Sequence, residues 1–266
     1  MRASWTGMLC IGTVSLPVKL YSATRSTELH FHYLHEHDGG RIKNERVCCK
    51  CGQTVESEDL VRGYEVEKGT YVTLTDEDFE KVDVDGAHTL SVDAFVDVAD
   101  IDPILFDKPY YLAPAEKRAH LYTLFREALK RTQKVAVATL VFREREQLAV
   151  IKPNGRALML AVLYFAEELA PPKGLALPKA TTAPDTEELA MVERLIDSMT
   201  EHFAPEKYTD TYRAGLQALI EKKREGVAIK TKPQRPRVAT EETELLAALK
   251  ASIQKAEGKR KRALAA

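Results

Sequence analysis

Three consecutive apolar runs in the middle of the chain constrain its fold most. They cover residues 135–142, 147–152 and 156–165, are rich in β-branched residues, and are separated by two short polar connectors. The second connector, Pro153-Asn154-Gly155, favours a tight hairpin because Asn-Gly tolerates the positive φ that such turns require. The runs therefore predict a three-stranded antiparallel meander, with arginine and lysine at the ends of its strands.

Turn signals recur through the first third of the chain, at Leu16-Pro17, Asp38-Gly39-Gly40, Lys68-Gly69 and Asp85-Gly86. The short runs between them alternate apolar and polar residues, which predicts successive strands of a barrel or sandwich. A His-rich strand is expected before Asp38. One short helix is expected after Thr75, which begins a capping-box pattern.

The sequence period changes after Pro114. Apolar residues from Leu121 to Leu129 recur at helical spacing and predict a helix of about four turns. Asp185 is placed to cap a second helix, and a third is expected from about Tyr208 to Gly226, where glycine suits a helix end.

These patterns predict a mixed β and α fold with four parts. The prolines at 171, 172, 178 and 184 mark a linker, and the residues after 227 form a basic extension with its own helix. The predicted parts are a β-barrel core at 1–170, a proline-rich linker at 171–184, a helical region at 185–226, and an extension at 227–266 with a helix at 240–257.

Charge is distributed unevenly along the 266 residues, although the formal net charge is only −1. Residues 221–266 hold 13 Lys or Arg against 6 Asp or Glu, so the tail is basic and the body acidic. A tail of this kind favours binding to a polyanion, with nucleic acid the usual target, while a merely solubilising tail is the alternative.

Cysteine usage and hydropathy indicate the compartment. Three of the four cysteines crowd at positions 48, 49 and 51, which does not fit a secreted disulfide framework. The apolar stretch from Gly7 to Val18 is broken by glycine, serine and proline, and it is too short to span a bilayer. We expect a cytoplasmic, nucleoid-associated protein with no membrane partner.

A His and Cys cluster offers a candidate metal site. Two imidazoles and two thiolates at finger-like spacing suit tetrahedral zinc, and the candidate ligands are His32, His35, Cys48 and Cys51. The alternative is reduced structural thiols beside solvent-facing histidines. No cofactor is required by the sequence, and a structural zinc is left open.

Enzymatic signatures are absent from the sequence. It has no phosphate-binding Gly-x4-Gly-Lys-Ser/Thr loop, no Gly-x-Ser-x-Gly elbow and no His-Glu-x-x-His helix. This favours a non-catalytic protein and nominates no catalytic residue, although an enzyme is not excluded on this ground alone.

Basic residues near predicted strand ends and connectors form the candidate DNA-binding set. Long side chains at such positions can converge on phosphates without reading bases, and binding of this kind weakens steeply with salt. The set comprises Lys19, Arg25, Arg41, Lys43, Arg46, Arg126, Lys130, Arg131, Lys134, Arg143, Arg145, Lys152 and Arg156, with Lys259, Arg260, Lys261 and Arg262 in the tail.

Motifs spread over residues 1–225 together resemble the bacterial Ku family. They occur in the order that the family has them and include Met1-Arg2-Ala3-x-Trp5-x-Gly7, Pro17-Val18-Lys19-Leu20-Tyr21-Ser22-Ala23-Thr24, Asp38-Gly39-Gly40-Arg41-Ile42, Arg46-Val47-Cys48-x-x-Cys51-Gly52 and Phe106-Asp107-Lys108-Pro109-Tyr110-Tyr111-Leu112.

The resemblance implies a homodimeric ring that threads onto double-stranded DNA ends and recruits an ATP-dependent DNA ligase for non-homologous end joining. It also implies a β-barrel core with a strand-built bridge around the duplex. We assign the bridge to residues 126–165 and the ligase-contact surface to 185–226. A zinc-stabilised nucleic-acid-binding regulator with a basic tail, and a metal-dependent nucleic-acid enzyme, are the alternatives from other classes.

Overall fold

A computed structural model divides the chain into two compact units, Met1–Pro172 and Lys173–Ala266. It describes residues 1–81, 88–115, 119–142, 145–177, 185–226 and 245–264. The division falls inside the predicted linker 171–184, of which residues 178–184 lie outside the described residues.

Nine strands and two helices lie in the first unit, and three helices lie in the second, counted over the described residues. The strands are β1 (Trp5–Ile11), β2 (Val14–Ser22), β3 (Arg62–Glu67), β4 (Thr70–Leu74), β5 (Thr89–Asp97), β6 (Phe106–Pro114), β7 (Lys134–Val141), β8 (Glu146–Asn154) and β9 (Ala157–Leu163). The helices are α1 (Asp76–Lys81), α2 (Ala119–Thr132), α3 (Thr186–Met199), α4 (Thr211–Arg224) and α5 (Leu245–Leu264).

Seven of the strands close into a barrel in the order β1-β2-β6-β9-β8-β7-β5. Neighbouring strands are antiparallel, except that β1 and β5 pair in parallel, from Met8 opposite Thr89 to Ile11 opposite Val92. Closure satisfies the backbone groups that an open sheet edge would expose. The predicted β-barrel core followed by a helical region is confirmed.

The barrel interior is filled by aliphatic side chains that alternate along the strands. Leu9, Val18, Leu90, Leu112 and Leu160 are among the fully buried ones. A second apolar cluster covers the outer side of β7, β8 and β9 and includes Val150 and Leu163, with Leu105 packed against it. Because both faces of these strands are covered, they form continuous apolar runs in the sequence.

The predicted meander at residues 135–165 is present, but its expected role as a projecting bridge is wrong. Strands β7, β8 and β9 are neighbours in the barrel wall, with Ala136, Ala138, Ala149, Ile151 and Leu158 completely buried. Strands with such a core face cannot leave the barrel, since exposing them to water would forfeit their burial.

The hairpin between β8 and β9 turns one residue later than the sequence pattern indicated. Asn154 pairs with Ala157, so the loop is Gly155-Arg156, and Gly155 has a φ of +57°. A glycine at the first loop position meets the positive φ that a two-residue hairpin needs there.

A long excursion leaves the barrel between β2 and β5. The predicted His-rich strand is wrong, because residues 23–61 contain only isolated bridges, Leu34 with Arg41 and Val47 with Thr54, and one short 3₁₀ turn. Strands β3 and β4 then pair as a separate two-stranded hairpin. No residue from 30 to 74 is buried, and this whole range is described. Residues 30–74 of the excursion therefore have no core of their own.

Helix α1 closes the described part of the excursion with the predicted capping box. The Thr75 backbone N–H donates to Asp78 Oδ2 at 3.0 Å, and the Asp78 N–H donates to Thr75 Oγ1 at 3.3 Å. Reciprocal bonds of this kind satisfy backbone donors at the helix start.

The second unit contains the predicted helices. Asp185 caps α3 by accepting from the backbone N–H groups of Glu187 and Glu188, and Gly226 follows α4 with a φ of +71°. Helix α5 packs against α3, and its Leu249 and Ile253 are buried. Residues 240–244 of the predicted last helix lie outside the described residues, and the helix continues to Leu264 rather than ending at 257.

Candidate nucleic-acid interface

Three lysines from three elements line one cavity at an end of the barrel. Lys130 lies in the last turn of α2, Lys134 begins β7 and Lys152 lies near the end of β8. The cavity has a volume of about 300 Å³, and its other lining residues are Val98, Leu129, Gln133, Val135, Pro153 and Gly155. The barrel thus brings together three predicted phosphate-binding residues, which we call the lysine cavity.

The connection between α2 and β7 sets two of these lysines side by side. It is a single residue, Gln133, which has a φ of +56° and is the only non-glycine residue with positive φ in the described ranges. This conformation is uncommon for a residue with a side chain. It reverses the chain at once, so that the last turn of the helix and the first residue of the strand share one surface.

The lysines differ in their ionic partners. Lys134 Nζ lies 2.6 Å from Asp97 Oδ2, its cross-strand partner on β5. No ion pair joins Lys130 or Lys152 to any other described residue. Lys130 is exposed, whereas Lys152 is half-buried. Neither ammonium group lies within ion-pair distance of a described carboxylate, although Lys130 is near enough to Glu127 to act on its carboxyl group, and both can meet phosphate oxygens.

Arg126 belongs to the predicted set, but its guanidinium is engaged within the protein. Nη1 donates to the Arg156 carbonyl oxygen at 2.8 Å, while Nη2 donates to Glu127 Oε1 at 2.7 Å. The side chain is only 19% exposed. This hydrogen bond from Arg126 lowers the pKa of the Glu127 carboxyl below its ordinary value. Arg126 thus ties α2 to the β8–β9 turn, next to the exposed side chain of Arg156.

Tyr122 makes a second tie between α2 and the barrel. Its hydroxyl donates to the Leu112 carbonyl oxygen at 2.7 Å and accepts from the Leu158 backbone N–H at 2.7 Å. Burial raises the pKa of the Tyr122 hydroxyl, because the phenolate would be poorly solvated there. Helix α2, which carries Lys130 and Arg131, is thereby held against the strands β6 and β9.

Other predicted contacts lie elsewhere in the first unit. Lys19 is on β2 between the buried Val18 and Leu20, so it points away from the core. Arg145 lines a different cavity together with Asp107, Glu146 and Glu168, where three carboxylates make phosphate binding less favourable.

The remaining basic residues lie on the excursion or in the tail. Arg25 and Lys43 are exposed, the Arg41 guanidinium lies 3.0 Å from His32 Nδ1, and Arg46 Nη1 donates to Ser57 Oγ at 2.9 Å. Arg143 lies outside the described residues. The backbone of residues 259–262 belongs to α5, but the side chains of Lys259, Arg260, Lys261 and Arg262 lie outside the description.

The four predicted zinc ligands fall into separate places on the excursion. His32 contacts Arg41, His35 contacts Asp38, and Cys48 lies close to Cys51. Within the described ranges, no three His, Cys, Asp or Glu side chains are grouped to hold a metal ion. Backbone N–H groups of Cys51 and then Lys50 lower the pKa of the Cys48 thiol. The zinc site stays a prediction.

The excursion itself is the feature that sequence reasoning missed. It presents large apolar side chains to solvent, with Tyr33 87%, Tyr64 67% and Phe31 66% exposed. The missed signal is the density of turn residues between Asp38 and Gly69, which leaves no run long enough for a barrel strand. Among the described helices, none is long and apolar enough to cross a membrane.

The fold and the lysine cavity define a class: a closed β-barrel protein with a basic end and a long solvent-exposed excursion between its second and fifth strands. A family model described as the Ku70/Ku80 beta-barrel domain matches residues 10–191. The chain belongs to the Ku family.

Curated relatives agree with this assignment over nearly the full length. A "Non-homologous end joining protein Ku" from Opitutus terrae is 40% identical over 95% of this chain and 91% of its own length. Proteins of the same name from Mycobacterium tuberculosis and Archaeoglobus fulgidus are 37% and 35% identical, over 95% and 96% of this chain and 95% and 99% of their own lengths.

Proposed function

We propose that this protein binds the ends of double-stranded DNA in non-homologous end joining and performs no chemistry itself. The observation that carries the proposal is the lysine cavity, in which Lys130, Lys134 and Lys152 converge from three elements of a Ku-family barrel. The names of the relatives support the pathway. Contacts to phosphates position a protein on a duplex without reading its sequence, so binding is expected to be independent of sequence.

The excursion is the proposed bridge of a homodimeric ring, in place of the meander. Its hairpin β3–β4 has both faces exposed, with Tyr64 and Tyr71 67% and 59% exposed. A two-stranded hairpin alone is marginally stable in water, and exposed apolar patches of this kind mark interaction surfaces. A second copy related by a twofold axis would cover the same surface on both chains.

Threading is tested by comparing one plasmid in two forms. The full-length protein is titrated, at matched salt, against the closed circle and against the same plasmid cut once. We expect binding to the linear form to exceed binding to the circle by far, and to fall when both ends are blocked by bulky hairpins. Equal binding to both forms would contradict the model of a ring threaded onto DNA ends. Base-selective binding to closed circles would favour the alternative of a zinc-stabilised nucleic-acid-binding regulator.

Dimerisation is tested on the excursion directly. Sedimentation of the wild-type chain is expected to give a dimer, and the double substitution Tyr64→Ser with Tyr71→Ser is expected to shift it toward monomer. Tyr111→Ser on the barrel strand β6 is the matched control. If the double substitution leaves the dimer unchanged, the excursion is not part of the dimer interface.

The exposed face of α3 is the proposed contact for an ATP-dependent DNA ligase. Leu189, Val192, Ile196 and Met199 recur at helical spacing and are 44%, 38%, 59% and 65% exposed, while α5 packs on this helix. Such an unpaired apolar stripe fits a partner surface. Because α5 covers part of α3, deleting residues 227–266 would also disturb this contact helix.

Point substitution is therefore the cleaner test of ligase recruitment. Ile196→Asp is expected to abolish stimulation of end ligation while leaving binding to linear duplex intact. Glu193→Gln, on the same helix, is the control and should preserve stimulation. If the Ile196→Asp protein still stimulates end ligation fully, this face of α3 is not the ligase contact.

A further inference from the structure

Three successive turns of helix α2 contact the β8–β9 hairpin. The Tyr122 hydroxyl accepts from the Leu158 backbone N–H at 2.7 Å, and Arg126 Nη1 donates to the Arg156 carbonyl oxygen at 2.8 Å. One turn further on, Lys130 lines the lysine cavity together with residues of the hairpin. Side chains four residues apart share one face of a helix, so α2 and the hairpin are joined along this face.

The bond from Arg126 acts on a part of the hairpin that lies outside the strand ladder. The last cross-strand pair is Asn154 with Ala157, so Gly155 and Arg156 form the loop beyond it. The Arg156 carbonyl oxygen therefore receives its hydrogen bond from the helix. Because the peptide group is planar, holding this oxygen fixes the orientation of the peptide, and with it the direction in which the Arg156 side chain leaves the loop.

The two arginines differ in what they present to solvent. The Arg126 side chain is only 19% exposed, and its Nε and Nη2 donate to Glu127 Oε1 at 3.2 and 2.7 Å. Arg156 is exposed, and no ion pair joins it to another residue of the described ranges. It follows Gly155, which lines the lysine cavity. The Arg156 guanidinium is therefore available to the same polyanion as the cavity lysines.

We propose that Arg126 is a positioning residue for DNA binding, which presents Arg156 to a phosphate beside the lysine cavity and makes no DNA contact itself. The inference rests on the proposed function, because the ligand of Arg156 is the same duplex. It replaces the prediction that both arginines contact phosphates directly. A side chain that is ordered before binding loses less conformational entropy when the complex forms.

An arginine suits this role better than a lysine. The planar guanidinium of Arg126 presents Nη1 to the turn and its Nε–Nη2 edge to Glu127 at the same time. A lysine carries the same charge on a single nitrogen at the end of a flexible stem. Arg126→Lys is therefore expected to keep the charge of the helix and to lose the link to the turn.

The affinity of the full chain for a labelled linear duplex tests the role. Arg156→Gln should weaken binding and lower the slope of log affinity against log salt by about 0.9, the value for one phosphate contact. Arg126→Lys should weaken binding about two- to tenfold although no charge is lost, the scale of ordering one side chain. Undiminished affinity of the Arg126→Lys protein would overturn the proposal, and so would an unaltered salt slope for Arg156→Gln.

The double variant distinguishes positioning from direct contact. If Arg126 acts through Arg156, the protein with both Arg126→Lys and Arg156→Gln should bind like Arg156→Gln alone, within about twofold. If each arginine contacts a phosphate of its own, the two losses should multiply, and this result would contradict the proposal.

Two control variants separate this role from a general loss of structure. Arg2→Lys makes the same exchange at an exposed position of the same unit and should leave the DNA affinity unchanged. Val162→Ala, at a buried position of β9 far from the turn, should lower the midpoint of urea unfolding without weakening DNA binding by the folded protein. If Val162→Ala weakens binding as much as Arg126→Lys does, loss of stability accounts for both effects and Arg126 has no positioning role.

Hydrogen exchange in the absence of DNA tests the link to the turn independently of the proposed function. The backbone amides of residues 153–158 should exchange faster in the Arg126→Lys protein than in the wild type or in Arg2→Lys, because the loop opens more often. Unchanged exchange would overturn the positioning role even if DNA binding stands. Faster exchange in a protein whose wild type does not prefer linear to closed duplex would instead refute the proposed function, and the DNA-binding role of Arg126 with it.

Discussion

The ammonium group of Lys134 is held 2.6 Å from the Asp97 carboxylate, across the β5–β7 ladder and at the edge of the lysine cavity. Both side chains are partly exposed, at 41% and 55%. The pair therefore contributes little to stability, on the order of 0–1 kcal/mol. Its larger effect is electrostatic, because one carboxylate reduces the positive potential of the cavity.

Removing this carboxylate should strengthen DNA binding. We expect Asp97→Asn to raise the affinity for linear duplex by about two- to fivefold at low salt, the scale of one weak ion pair. Fluorescence titration with a labelled duplex measures the effect, and Asp93→Asn on the same strand is the control. If the DNA affinity of the Asp97→Asn protein falls instead, Asp97 orients Lys134 and does not compete with phosphate for it.

The two lysines without a described ionic partner should contribute directly to binding. Lys130→Gln combined with Lys152→Gln is expected to weaken binding to linear duplex for every sequence. The slope of log affinity against log salt should fall by about 0.9 for each phosphate contact removed. Lys108→Gln, at an exposed position of β6, serves as the control. An unaltered salt slope would exclude the lysine cavity from the interface.

The Tyr122 hydroxyl should stabilise the barrel substantially. Tyr122→Phe leaves the Leu158 N–H and the Leu112 carbonyl without this partner inside the protein, which costs about 2–3 kcal/mol of unfolding free energy. Urea unfolding followed by the fluorescence of Trp5, the only tryptophan and a buried barrel residue, measures the loss. Tyr111→Phe should change the free energy of unfolding little. Equal effects from both substitutions would refute the role of the buried Tyr122 hydroxyl.

The Arg126–Glu127 contact should make stability depend on pH in the acidic range. The pKa of the Glu127 carboxyl is lower in the folded protein, so its contribution is complete above the unfolded-state pKa and disappears as the pH falls through the folded-state pKa. Glu127→Gln should therefore flatten the acid dependence of the urea midpoint. The same measurement on Glu28→Gln provides the comparison, and parallel curves for Glu127→Gln and wild type would contradict the assignment.

Local sequence signals predicted much of the fold. The glycine of the β8–β9 hairpin, the Thr75 capping box and the Asp185 cap act through neighbouring atoms, and each occurs where the pattern placed it within a residue. The position of the meander could not be predicted in the same way. A continuous apolar run predicts a strand that is buried on both faces. It does not identify the parts of the protein that cover those faces.

Non-local pairing also determines the candidate site. Lys130, Lys134 and Lys152 were individually predicted from their placement near element ends, but only the barrel topology brings them to one cavity. The spacing of the His and Cys cluster predicted zinc, but the spacing could not show that His32 contacts Arg41 and that His35 contacts Asp38. Arg126 could not be distinguished from its basic neighbours, because its Glu127 contact depends on side-chain conformation.

The parallel pairing of β1 with β5 has a consequence for how the chain is made. Strands β2 and β5 flank β1, so the excursion starts on one side of the first strand and returns on the other. A nascent chain cannot complete this cylinder until the segment through β9 has left the ribosome. Contacts between residues so distant in sequence slow folding, and the early strands meanwhile need protection from misassociation.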